Sequence, residues 1–125
     1  MNEKLYKIDM DSAVEKAEIA EQNKAASAAR KAKPLFSGVL MYFPDALLAV
    51  AEHSKRGNDK HNPGQPLHWA RGKSTDQADC IARHLIDIGP EWNERDPEFG
   101  SYHATALAWR ALALLQTVIE REGKK

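Results

Sequence analysis

The stretch from Lys60 to Ser74, K-H-N-P-G-Q-P-L-H-W-A-R-G-K-S, constrains the fold more than any other part of this chain. Pro63, Gly64, Pro66 and Gly72 keep it out of both helix and strand. A long irregular connection inside a small domain is usually either functional or disordered. The fixed φ of its prolines and the large apolar anchors Leu67 and Trp69 argue for order. Such a loop has to be held between helices on either side. It carries Lys60, Arg71 and Lys73 and no acidic residue. Guanidinium and ammonium groups suit phosphate, and Trp or His rings stack on a base. The loop therefore reads as a binding site for an anionic, partly planar ligand. The plainer alternative is a proline-stiffened crossover that packs Leu67 and Trp69 into the core and leaves its cations in solvent.

At 125 residues the chain has the size of one domain. Lys+Arg and Asp+Glu both number 18, so the net charge is zero. That balance argues against a general nucleic-acid or membrane-surface binder, whose footprint is a broad basic face, but leaves room for a local phosphate site. Cys80 is the single cysteine, so no intrachain disulfide and no CxxC metal knuckle is expected. The opening residues lack the apolar core of a signal peptide, and no apolar run approaches the ~20 residues of a membrane span. A cytoplasmic protein without a membrane partner is expected.

Residues 1 to 10 read as a mobile or edge-bound terminus. Asp11 or Ser12 offers a helix cap, with Glu15 completing a capping box. Ala, Glu, Lys and Gln then continue the helix to Lys33, where Pro34 stops it. The apolar face of this helix is thin, which suggests an arm over residues 1–33 and a helical binding domain over residues 34–125. The run from Leu35 to Phe43, broken by Gly38, fits a short strand or a buried extended segment. Pro44 suits the first position of a second helix, which Gly57 would end. After the loop, Ser74 offers an N-cap, and Gly89-Pro90 ends a third helix. Residues 90 to 100 form an acidic loop. A fourth helix runs from near Ser101 to about Glu122. The expectation is an all-α fold, a small bundle of about four helices with one long, ordered, Pro/Gly-rich central loop.

Few side chains outside the loop carry chemistry. Asp79 and Arg83 share a helix face; their plain reading is an i,i+4 ion pair worth ~0.3–0.5 kcal/mol, their functional one an acid that aims Arg83 at a phosphate. His103 lies in the first turn of the fourth helix, as a packing residue, a ligand or a base. Cys80 and His84 are four apart, but two ligands do not make a metal site. Asp87, Glu91, Glu94, Asp96 and Glu98 read as a solvated cluster and the one source of Mg²⁺ carboxylates outside the helices. There is no GxxxxGK[ST], GxGxxG, GxSxG or HExxH motif.

From about Pro34 to Glu120 the chain resembles a phage and prophage domain described as dATP/dGTP diphosphohydrolase, N-terminal. The likeness rests on G-N-D-K-H-N-P-G-Q-P-L-H-W from Gly57 to Trp69 and K-S-T-D-Q-A-D from Lys73 to Asp79. It continues through R-H-L at Arg83 to Leu85 and H-A-T-A-L-A-W-R-A-L-A-L-L from His103 to Leu115. The resemblance implies an all-α domain of nucleotide metabolism in a phage-infected or lysogenic host. It would cleave a purine deoxynucleoside triphosphate to monophosphate and pyrophosphate. Lys60, Arg71, Lys73 and Arg83 would hold phosphates, Trp69 or His68 would stack on the base, and Asn62 and Gln65 would read its edge. Asp79, His84 and His103 are the acid/base or metal candidates. In-line attack of water on phosphorus needs a divalent ion, so Mg²⁺ or Mn²⁺ is implied if the protein is an enzyme. The alternative is a phage-encoded protein that sequesters a nucleotide signal of host defence without turnover, which the lack of an evident carboxylate cage favours. The small core and the polar first helix predict a homo-oligomer with residues 12 to 32 at its interface.

Overall fold

Residues 3 to 31, rich in Ala, Glu, Lys and Gln and without a Pro or Gly, fold as one uninterrupted helix, α1 (Glu3–Lys31). The computed structural model describes residues 3–124, with side chains from Asp11 onward. The helix begins at Glu3 rather than at Asp11 or Ser12, because nothing between residues 3 and 11 breaks it; residues 1 and 2 lie outside the described residues. Of its described side chains only that of Ser27 is not fully exposed.

The run after Pro34 is neither strand nor buried extended segment. It forms a π-helical turn, Phe36–Leu40, closed by the Met41 N–H on the Phe36 carbonyl at 2.8 Å. The Gly38 N–H bonds the Pro34 carbonyl at 2.8 Å. A local helix satisfies these backbone groups, as no strand among the described residues is there to do so. Leu35, Phe36 and Met41 stay exposed. These elements make up one compact unit, Met1–Tyr42; the second is Phe43–Lys125.

The second unit holds three helices, α2 (Pro44–His61), α3 (Gln77–Asp87) and α4 (His103–Gly123). Pro44 opens α2, with Asp45 in its first turn. Gly57 does not end it. The helix continues because the pairs Glu52–Arg56 and Lys55–Asp59 brace this last stretch, and it stops only before Pro63. Asp76, not Ser74, stands at the N-cap position of α3, and the Ser74 Oγ donates instead to the Asp76 carboxylate at 2.8 Å. Beyond α3 the chain reverses at Gly89, whose φ of +83° suits glycine. A side chain there would also collide with Glu94, which packs against it.

α4 packs against both α3 and α2. The interior is mixed: Cys80, Ala106 and Ala113 are buried, and so are Asn58, Gln77, Asp96, Ser101, His103 and Thr105. Buried polar side chains are the informative ones, because each needs a partner or a purpose.

Candidate functional site

The central loop is ordered, and one side chain of α2 holds it. The buried Asn58 donates from Nδ2 to the Gln65 carbonyl at 2.9 Å and accepts the His68 N–H on Oδ1 at 3.2 Å. An amide presents donor and acceptor together, so one side chain satisfies two backbone groups of a segment that has no ladder of its own.

The loop, the end of α2, the start of α3 and the middle of α4 enclose a cleft of about 260 Å³. Its walls are aromatic. Trp69 and Trp109 meet edge to face, with ring centroids 6.0 Å apart, and Trp109 Nε1 donates to the Ser54 Oγ at 2.6 Å. Phe99 stands beside His53 at 5.3 Å and His61 at 6.1 Å. Its polar groups include Asn62, Lys73, Ser74, Gln77 and Arg110. Arg110 Nη1 bonds the Gln77 Oε1 at 3.1 Å and the Ser74 Oγ at 3.3 Å, which aims a fixed guanidinium along the wall. His53 Nδ1 lies 2.9 Å from the Ser101 Oγ, and burial pushes its imidazole below the ordinary value of 6.5.

Of the residues singled out in the sequence, Asn62, His68, Trp69 and Lys73 line this cleft. Lys60 and Arg71 do not, and although the loop itself holds no acid, both meet carboxylates from elsewhere in the chain. Lys60 pairs with Glu98 at 2.7 Å, and Arg71 pairs with Glu120. Their partners come from the connection before α4 and from α4 itself, far along the chain from the loop. Arg71 also lies over the Trp69 ring at 4.3 Å. Gln65 contributes its carbonyl to Asn58. Arg83 reaches the Cys80 Sγ at 3.0 Å and the Asp76 carboxylate at 3.4 Å. Asn58, Gln77, Trp109 and Arg110 were not singled out by sequence reasoning. All four fall inside the stretches that carry the family resemblance, which was the signal available for them.

A second constellation joins α3, the connection after it and α4. His84 Nδ1 and His103 Nδ1 lie 2.9 Å apart. With Asp96 they form a set whose ligating atoms all lie within 4.8 Å of one another. Asp79 is exposed on α3 and is not part of this set; Asp96 is the acid beside the two histidines. Asp96 is buried, so the acidic loop is not uniformly solvated. The turn holds it: its N–H bonds the Ser101 carbonyl at 2.7 Å, and its Oδ1 accepts the Glu98 N–H at 2.9 Å. Burial holds the His84 imidazole below its ordinary value, and His103, Arg110 and Arg83 push the same way against Asp96. Asp96 and His84 also act on His53 in the cleft wall, so cleft and constellation lie within electrostatic reach.

A family model described as dATP/dGTP diphosphohydrolase, N-terminal, matches residues 22–125. No curated protein and no solved structure gives a significant match.

Proposed function

The chain belongs to the dATP/dGTP diphosphohydrolase N-terminal family, and on that premise we propose that its cleft binds a purine deoxynucleoside triphosphate and supports hydrolysis to monophosphate and pyrophosphate. The observation that carries the reading is the composition of the cleft, in which aromatic faces, side-chain amides and two cations line about 260 Å³. Pockets for small ligands combine mostly apolar walls with a few placed polar groups. Trp69 and Phe99 offer faces for a purine, at ~1–3 kcal/mol per stacked base. Asn62 and Gln77 offer donor and acceptor to its edge. Lys73 and Arg110 offer charge to the phosphates. His53, kept neutral by burial, is the group in the wall suited to take a proton from an attacking water.

A metal-assisted reaction would draw on His84, Asp96 and His103. Two imidazoles and one carboxylate suit Mn²⁺ better than Mg²⁺, which prefers oxygen ligands. Held by these three residues, a divalent ion would offset phosphate charge and lower the pKa of a bound water.

Binding without turnover is the second reading, and one observation favours it: the constellation has a single carboxylate. One experiment separates the two. The protein is incubated with each deoxynucleoside triphosphate and with cyclic nucleotides, with and without Mn²⁺ or Mg²⁺. Free nucleotide and nucleotide released by denaturation are then chromatographed. New monophosphate from dATP or dGTP supports hydrolysis. Intact nucleotide recovered only after denaturation supports sequestration, and neither result leaves the cleft without a nucleotide role.

A further inference from the structure

Asp96 is a buried carboxylate with no cationic side chain at ion-pair distance among the described residues. Buried charges are as a rule paired or bound to a metal, because an uncompensated one is costly. Its neighbours within reach are two imidazole nitrogens, which are metal ligands when neutral. The nitrogens are the same atom, Nδ1, on two different helices, brought to one point 2.9 Å apart. Two nitrogens about 2.1 Å from one ion stand about 3.0 Å apart at a right angle and about 3.4 Å apart in a tetrahedron. The observed separation matches the right angle. Two histidines and one carboxylate on one side of an ion are the donor set of mononuclear transition-metal sites with open positions.

We propose that His84, Asp96 and His103 form a mononuclear site for a first-row divalent transition ion, six-coordinate, with its remaining positions left to water or ligand oxygens. The site is built from three separate elements: α3 supplies His84, the first position of α4 supplies His103, and the turn that follows Gly89 supplies Asp96. The alternative is a plain hydrogen bond between two neutral imidazoles, which the same distance permits. The inference does not depend on dATP or dGTP being the substrate.

Co²⁺ serves as the probe because its visible spectrum reports coordination number. The full chain is stripped with a chelator, loaded with Co²⁺, dialysed and assayed for metal and absorbance. The expected result is one Co²⁺ per chain with the weak bands of six-coordination, and a higher melting temperature than the stripped protein. His84→Ala and Asp96→Asn should each lower Co²⁺ affinity at least tenfold, whereas Asp87→Asn, on the same helix and loop boundary, should leave it unchanged. Circular dichroism of each variant establishes that it folds, and His84→Gln serves in place of His84→Ala if the latter does not. Failure of the folded wild-type chain to retain Co²⁺, retention undiminished in both folded ligand variants, or the intense bands of a tetrahedral ion would each overturn the proposal. Because the readout is metal and not product, a protein that binds Co²⁺ but hydrolyses nothing would leave this site standing and remove only the hydrolytic reading.

Discussion

Lys73 and Arg110 face the cleft without a carboxylate partner among the described residues, unlike Lys60 and Arg71. Lys73→Ala is therefore expected to weaken nucleotide binding about tenfold, or ~1.4 kcal/mol. Its melting temperature should hardly move, because an exposed lysine contributes little to stability. Titration calorimetry giving the parent affinity for Lys73→Ala would reduce the loop to a stiff connector. Arg71→Ala should cost less than Lys73→Ala, since the guanidinium already serves Glu120 and the Trp69 ring. His53 supplies a pH test. Its folded-state value lies below 6.5, so the unfolded chain takes up the proton first as pH falls. The stability it contributes is intact above 6.5 and declines below it. Melting curves from about pH 8 to about pH 5 should show that decline, and His53→Gln should flatten it. Lys73 was visible as a candidate in the sequence because an acid-free loop advertises its cations, but the same signal marked Lys60 and Arg71, which carboxylates from elsewhere in the chain meet. Asp96 was not, because burial of one acid among five depends on a turn that composition does not reveal.

The helices themselves were largely legible, since their periodicity and their prolines are local signals. Their ends were less so. Gly57 resembles a helix stop but lies within α2, where a Cβ would meet nothing within 4 Å. The apolar run after Pro34 forms a π-helical turn because no strand among the described residues pairs with it, which no local pattern reports. Two connections carry more weight than the helices they join. Asn58→Ala would leave the Gln65 carbonyl and the His68 N–H without their partner, at ~1–3 kcal/mol. Hydrogen exchange should then speed up across residues 63–70 ahead of the helices. Gly89→Ala puts a side chain at φ +83° and against Glu94, so a loss of roughly 1–3 kcal/mol is expected from denaturant unfolding. Because this turn leads to Asp96, the same variant should also bind Co²⁺ more weakly.

For the molecule as a whole, no large side chain among the described residues is fully buried, and leucines and isoleucines of α3 and α4 remain exposed. A domain this small gains little from its own core. Self-association is the expected remedy, with α1 in the interface. Light scattering should give a mass above the 14.0 kDa of one chain at micromolar concentration, and removal of residues 1–33 should lower the number of subunits. A monomeric mass throughout that range would refute it. The chain's zero net charge has a local counterpart in the pairs Lys60–Glu98 and Arg71–Glu120. Both pairs are exposed, so each works as a guy rope that ionic strength slackens: Arg71 ties the loop to α4, and Lys60 ties the end of α2 to the connection before α4. Added salt should loosen these ties before it reaches the buried Asn58 amide that holds the loop from inside.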